Sequence, residues 1–389
     1  MKVAVIGGKL QGVEALYLAN QAGWDTVLVD RESSVPGKGL CQEFSQLDVT
    51  MEKEKLKQVF SGVDLIIPAL ENRAALSSLN ELALQAEVPL AFDRDAYTVT
   101  SSKLLSDQLF HANAIPAPAY YPQAKLPLIV KPSGASGSKD VLKLRTQGEL
   151  ERFERSVNKL DEWVVQEYLT GPSYSLEVIG LNGEVVSYQV TEIVVDAGYD
   201  CKRVLAPVDL DSGLEDSLRQ IAAKIAELLN LTGIMDVEVI NHKGSLRVLE
   251  IDARLPSQTP ITIWHSTGLN MVEHLMEVFV QKRLPKFESI GFRNDLMDVI
   301  FEHLQVSPEK MEIKGEHIMT VSEPLQVISD FWGADQAITN FHPGRTSWVA
   351  TFIYIGRNRT ETRLKRRETL KNIAKHYNLS EFLDLSPAI

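Results

Sequence analysis

Over the first 92 residues, short apolar runs alternate with segments whose apolar positions recur at helical spacing. "VAVI" (3–6), "TVLVD" (26–30), "DLIIPA" (64–69) and "PLAF" (89–92) read as strands. Segments 12–21, 52–60 and 74–87 between them read as amphipathic helices. Strands this short and continuously apolar are covered on both faces, so the pattern predicts a doubly wound parallel sheet. Ligands of such sheets sit beyond the carboxyl ends of the strands. That puts Lys9–Gly12, Asp30 and Glu71–Asn72 on the rim of one crevice.

After residue 92 the texture changes. A helix carrying Lys103 leads into the proline-rich "NAIPAPAYYP" (113–122), which marks a subdomain boundary. "PLIVKPSGASGSKDVLKL" (127–144), a helix at 148–158, "EWVVQEYLTGPSYSLEVIG" (162–180) and a helix at 213–231 follow. Two strands, "GIMDVEVI" (233–240) and "LRVLEIDARLP" (246–256), are joined by "NHKG" (241–244), which suits a tight hairpin turn. Residues past about 285 read as a separate α+β stretch without a motif. Within it, "SWVATFIYIG" (347–356) suits either a strand completing the preceding domain or a subunit contact, the second of which implies a homodimer.

Composition narrows the class. A chain of 389 residues that is 44% apolar and 24% charged is long enough for two or three globular domains. No apolar run approaches membrane-spanning length, and the N-terminus enters a strand directly, so neither a membrane partner nor a signal peptide is expected. Cys41 and Cys201 are alone and far apart, which excludes a disulfide framework and a thiolate metal cluster and points to the cytoplasm. The net charge of -12 disfavours nucleic acid. One basic segment, "RNRTETRLKRRETLK" (357–371), reads as the solvated face of a late helix.

Candidate chemistry concentrates in the hairpin. On strands of period 2, Asp236 and Glu238 share one face, and Glu250, Asp252 and Arg254 another; the turn brings the two side by side. Converging carboxylates repel one another unless a cation sits between them. Mg²⁺ suits such a set, because it prefers oxygen ligands and shares them with phosphates. Arg254 adds a positive fork. An ordinary hairpin with a charged solvent face is the competing interpretation. Upstream, the small-residue loop Ser133–Ser138 can turn backbone N–H groups toward phosphate oxygens, although Lys139 in place of a glycine excludes a Walker A loop. Lys131 and Lys103 would add the cations that a triphosphate needs. The strand end Glu167-Tyr168-Leu169 offers a backbone edge for an adenine ring. Near the N-terminus, Gly7, Gly12 and Asp30 partly fit a dinucleotide-binding turn. Lys9 occupies its middle glycine, which leaves a nicotinamide-dependent dehydrogenase as a minor alternative.

In this order, Lys103, Lys131 with its loop, "QEYLTG", Glu238 and "LEIDAR" resemble the ATP-grasp superfamily of carboxylate–amine ligases, over about residues 1–282. The resemblance implies an α/β chain with an N-terminal doubly wound parallel sheet (1–92). An ATP-grasp fold of two α+β subdomains (93–284) and a C-terminal α+β extension (285–389) would follow. It further implies ATP between the subdomains, with Lys103 and Lys131 on the phosphates and Ser136, Gly137 and Ser138 closing over them. Glu167, Tyr168 and Leu169 would bind adenine, and Glu238, Glu250 and Asp252 would hold Mg²⁺. Asp252 stands where the family pattern E-x-N-x-R has Asn, which keeps an oxygen ligand and adds negative charge. Lys202, in "AGYDCKRV", resembles a lysine on the terminal phosphate, with Arg203 as the fallback. "GGKLQGVEALYLANQAGWDTVLVDR", "PALEN", "KPSGASGSKDV" and "LEIDARLPSQTP" are similar to the amino-acid ligases of pyrrolysine biosynthesis. Their substrates, 3-methyl-D-ornithine and L-lysine, would be joined through an acyl phosphate, with Arg254 orienting the reacting groups. Ser175, Glu177 and Asp236 are then expected at the ornithine amines, Gln11 and Gly12 at the lysine carboxylate, and Glu71 or Asn72 at its α-amine. Another ATP-grasp ligase or carboxylase shares all but the acceptor pocket, and a noncatalytic nucleotide sensor shares the ATP site alone.

Overall fold

A computed structural model describes residues 1–135, 137, 140–157, 159–287, 296–320 and 323–387. Strands β1 (Lys2–Ile6), β2 (Asp25–Asp30), β3 (Glu43–Gln46) and β4 (Leu65–Pro68) form an all-parallel sheet in the order β3-β2-β1-β4. Helix α1 (Leu10–Gln21) covers one face, and α2 (Lys53–Phe60) with α3 (Arg73–Ala86) the other. "PLAF" is not a strand: Leu90 makes only an isolated bridge to Ile66. The edge strand instead is β3, whose sequence EFSQ carries no apolar run to announce it. Nor is α1 amphipathic. Gly12–Ala19 is buried without a break, because the helix is sandwiched between the sheet and later helices.

Helices α4 (Arg94–Thr100) and α5 (Lys103–Ala112) start at Asp93 and Ser102, whose side chains accept backbone N–H groups of the first turn. A small antiparallel sheet follows, in the order β6-β5-β7, from β5 (Leu128–Pro132), β6 (Leu142–Leu144) and β7 (Trp163–Glu167). Helix α6 (Gln147–Ser156), opened by a capping box at Thr146 and Glu149, buries Leu150 and Phe153 against it.

The remaining strands make one 12-stranded sheet. They are β8 (Ser173–Leu181), β9 (Glu184–Ser187), β10 (Thr191–Val195), β11 (Cys201–Ala206), β12 (Gly233–His242) and β13 (Ser245–Asp252). Next come β14 (Asp298–Val306), β15 (Lys310–Ile313), β16 (Gln326–Phe331), β17 (Ala334–Thr339), β18 (Trp348–Gly356) and β19 (Glu381–Asp384). Helices α7 (Ser212–Leu228), α8 (Thr259–Thr267), α9 (Met271–Phe279) and α10 (Arg359–Tyr377) pack on it. The region after 284 does not stand apart, because β14 pairs antiparallel with β11 and extends the same sheet. "SWVATFIYIG" is β18, an interior strand between β14 and β17, so it serves as a strand and not as an exposed subunit contact. The basic helix α10 is only partly solvated. Arg359 pairs with Asp298, Lys365 with Asp335, and Arg366 with Glu302 and Asp384. No helix among the described residues is long and apolar enough to cross a membrane.

Candidate active site

The hairpin β12–β13 turns through Lys243 and Gly244, both at positive φ, a turn whose twist matches the strands it joins. Its register sets Asp236 opposite Asp252 and Glu238 opposite Glu250. On the other side of β12, β8 sets Glu177 beside Asp236 and Ser175 beside Glu238. Adjacent strands thus pool Glu177, Asp236, Glu238, Glu250 and Asp252 on one sheet face, where they line a cavity of about 130 Å³. Burial pushes Glu238 and Asp252 up to about 7, and their mutual charge with Glu250 adds to it. Glu250 behaves differently. Burial alone would raise it, yet Lys103 and Lys131 hold it below the usual carboxylate range. Such a set of oxygen donors fits a hard divalent cation, which would offset the burial and mutual repulsion that raise two of them.

Lys103, at the start of α5, donates to Glu250 Oε1 at 2.5 Å and to the Ala135 carbonyl at 2.6 Å. Lys131, at the end of β5, donates to the Leu249 carbonyl at 3.0 Å, and burial pushes its ammonium down. Lys103 from α5 and Lys131 from β5 thus both converge on β13. Gly137 lines the cavity, whereas Ser136 and Ser138 lie outside the described residues. At the strand end, the Glu167 carboxylate accepts from Ala119 N at 2.8 Å. Tyr168 N donates to the Pro127 carbonyl, so that amide is already engaged. Leu169 is half-buried beside it.

Arg254 joins this face to the N-terminal rim. It donates to Asp252 Oδ2 at 3.1 Å, and its Nε lies 2.9 Å from Glu71 Oε1 without the alignment of a hydrogen bond. Glu71 Oε1 also accepts from Gln11 at 2.9 Å. Gln11, Glu71, Asn72 and Arg254 line a second, larger cavity of about 680 Å³. Inside the carboxylate face, Glu177 Oε2 and Asp236 Oδ1 are buried without a partner among the described residues, as expected of atoms that receive a ligand's donors. Burial raises both carboxyls, Asp236 far above its ordinary range.

Four expected site residues need correction. Lys202 is 1% exposed and turns away from both cavities: its Nζ donates to Asp384 Oδ1 at 2.7 Å, the Leu385 carbonyl at 2.6 Å and Ser386 Oγ at 3.2 Å. Arg203 is paired with Glu302 and Asp384. The C-terminal strand, invisible as a neighbour in the sequence, claims both cations. Gly12 packs inside the fold, where a Cβ would lie 2.0 Å from the Gly7 carbonyl oxygen, so it is there for close approach. The Asn72 side chain caps α3 by accepting from Ala75 N, even though the residue borders the cavity. Ser257 and Gln258, inside the quoted "LEIDARLPSQTP" but not singled out there, line the carboxylate cavity with Glu316, to which no local pattern points. Gln258 sits at φ 72°, a strained backbone for a non-glycine residue.

Two antiparallel layers closing on a buried carboxylate–lysine cluster, beside a parallel N-terminal sheet, define an ATP-grasp enzyme. Residues 100–258 match the ATP-grasp domain family. The biotin carboxylase of Campylobacter jejuni shares the fold, with a TM-score of 0.73 at 14% identity over 95% of this chain and 91% of that one. So does an L-amino acid ligase from Bacillus licheniformis, with a TM-score of 0.69 at 14% identity over 95% of this chain and 97% of that one. The chain is 33% identical over 382 residues to the 3-methyl-D-ornithine–L-lysine ligase of Methanosarcina barkeri, covering 96% of this chain and 98% of that protein. To the ligase of the same name from Methanosarcina mazei it is 31% identical, over 96% of each. The chain belongs to this family of ATP-dependent, amide-forming amino-acid ligases. Membership removes the dehydrogenase alternative. Asp30, the expected ribose ligand of that alternative, instead accepts from Gly8 N at 2.8 Å.

Proposed function

We propose that the enzyme activates the carboxylate of 3-methyl-D-ornithine with ATP and joins it to the ε-amino group of L-lysine, a step of pyrrolysine biosynthesis. The reading rests on full-length similarity to ligases of that name. It draws further support from two cavities that meet at Arg254, one rich in carboxylates and one bounded by the N-terminal rim. ATP's terminal phosphoryl group passes to the donor carboxylate, releasing ADP and leaving an acyl phosphate. The lysine amine then attacks the acyl carbon, and phosphate departs. Mg²⁺ on Glu238, Glu250 and Asp252 would neutralise charge crowded on the transferred oxygens.

Lys103 and Lys131 would bring positive charge to the phosphates, and the loop containing Gly137 would close over them. Glu167, Tyr168 and Leu169 border the expected adenine position; with the Tyr168 amide engaged, the ring's hydrogen bonds would fall to neighbouring carbonyl and amide groups. Ser175, Glu177 and Asp236 suit the ornithine ammonium groups, since two unpartnered buried carboxylate oxygens are otherwise costly. Gln11 and Glu71 suit the polar end of lysine, and Arg254 would hold the reacting groups in register. Mass spectrometry of products from ATP with 3-methyl-D-ornithine, ornithine and lysine, singly and in pairs, tests the assignment. ADP release that ignores both amino acids, or requires bicarbonate, would replace it with another ATP-grasp chemistry.

A further inference from the structure

The acceptor amine enters as an ammonium ion and cannot attack until a proton has left it. Among the described residues, five line both cavities: Gly137, Asp200, Arg254, Ser257 and Glu316. Two of them are carboxylates. Asp200 is paired with an imidazole: its Oδ2 accepts from His317 N at 3.0 Å and lies 2.6 Å from His317 Nδ1. Among the described residues, Glu316 hydrogen-bonds neutral donors alone, and at one oxygen. Ser257 Oγ donates to its Oε2 at 2.7 Å and Gln258 Nε2 donates to the same atom at 2.8 Å, while no donor among the described residues reaches Oε1. Glu71 and Asp252 are instead paired with the cation Arg254, and Glu250 with Lys103.

The framework around Glu316 is built for close placement. Asp196 accepts from Gly315 N at 2.9 Å, and a Cβ at Gly315 would lie 2.1 Å from Asp200 Oδ2. The β10–β11 turn is therefore clamped directly onto the residue before Glu316. Gln258, strained at φ 72°, has its own carbonyl-type oxygen fixed by His303 at 3.0 Å, which leaves its Nε2 aimed at Glu316. Backbone strain and a glycine contact both serve one carboxylate.

Deepening the ligase reading and resting on it, we propose that Glu316 is the general base that deprotonates the attacking amine of the acceptor amino acid. The ammonium gives one proton to Glu316 Oε1, leaving a neutral amine. Its lone pair forms the N–C bond to the acyl carbon as the C–O bond to phosphate breaks, and phosphate leaves with that electron pair. The second proton of the new nitrogen goes to the departing phosphate, and Glu316 releases its own to water when product leaves. Burial raises the Glu316 carboxyl, nearer to the working pH of a base. Asp200, Arg254, Glu14 and Cys201 face it from the surrounding elements, His317 follows it in the chain, and His303 acts through Gln258.

The test compares two nucleophiles with Glu316→Gln, which keeps the shape and an oxygen for Ser257. Hydroxylamine is uncharged at neutral pH and traps the acyl phosphate without a base. The variant should form hydroxamate from the donor amino acid at the wild-type rate but lose at least ~100-fold in amide formation with lysine at pH 7. That loss should shrink about tenfold per pH unit toward the amine's own pKa near ~10.4. Equal lysine ligation by the variant at pH 7 would overturn the base assignment. So would parallel loss of hydroxamate and amide, which would mark Glu316 as structural. A wild-type enzyme that forms neither product from any donor and acceptor would overturn the ligase reading itself, and the base with it.

Discussion

At the level of single residues, chemistry and packing give opposite signatures on substitution. Glu250→Ala or Asp252→Ala should leave the circular dichroism spectrum unchanged and lower ATP-dependent ligation by about 100-fold or more, followed as ADP release. A near-normal rate at ordinary Mg²⁺ would show that these oxygens hold no metal. Gly12→Ala should do the reverse. Its Cβ meets the Gly7 carbonyl at 2.0 Å, so stability should fall by about 1–3 kcal/mol in urea denaturation, with the Michaelis constant for lysine little changed. A folded variant of normal stability with weakened lysine binding would restore Gly12 to the substrate site. The acidic residues of the hairpin were legible because a period of 2 and a tight turn determine which side chains meet. Glu316 was not. Its neighbours Ser257 and Asp200 lie 59 and 116 positions away by subtraction of the residue numbers, and no local pattern encodes that distance.

Among the elements, the alternation of the first 92 residues gave β1, β2, β4 and the three helices, since buried parallel strands carry their signal in composition. The edge strand β3 and the C-terminal β19 escaped because they are short and half-exposed, so pairing alone defines them. Without β19, nothing in the sequence pattern occupies the Lys202 ammonium. That buried ammonium is held by Asp384 and by carbonyl and hydroxyl groups of the tail, and Asp384 also serves Arg203 and Arg366. Removing one partner of such a pair strands the other. Asp384→Ala should therefore cost about 3–5 kcal/mol of stability, and Lys202→Met in the same chain should recover much of it. A double-mutant cycle by chemical denaturation measures the coupling. If Lys202→Met instead left stability alone and abolished ATP turnover, the lysine would belong to the phosphate site after all.

Across the whole molecule, the N-terminal sheet and the large sheet share one apolar core, which runs through α1 into α8 and α9. At that seam sits a carboxylate: Glu14 of α1 is 3% exposed and accepts from Ile261 N at the start of α8, at 2.8 Å. Burial pushes it up to about 8 from an ordinary 4.5, outweighing the backbone donors that favour its charged form. Between those two values the folded chain binds a proton that the unfolded chain has released. Stability contributed by the protonated group is therefore complete below about pH 4.5 and declines as pH rises toward 8. The slope is limited to about 1.4 kcal/mol per pH unit. Glu14→Gln keeps an acceptor for Ile261 N and removes the titration. Its unfolding free energy, measured from pH 5 to 8, should exceed that of the native chain by a margin that widens with pH. Parallel curves for the two proteins would mean that Glu14 is already ionised in the folded state, and that the seam between the sheets tolerates a buried charge.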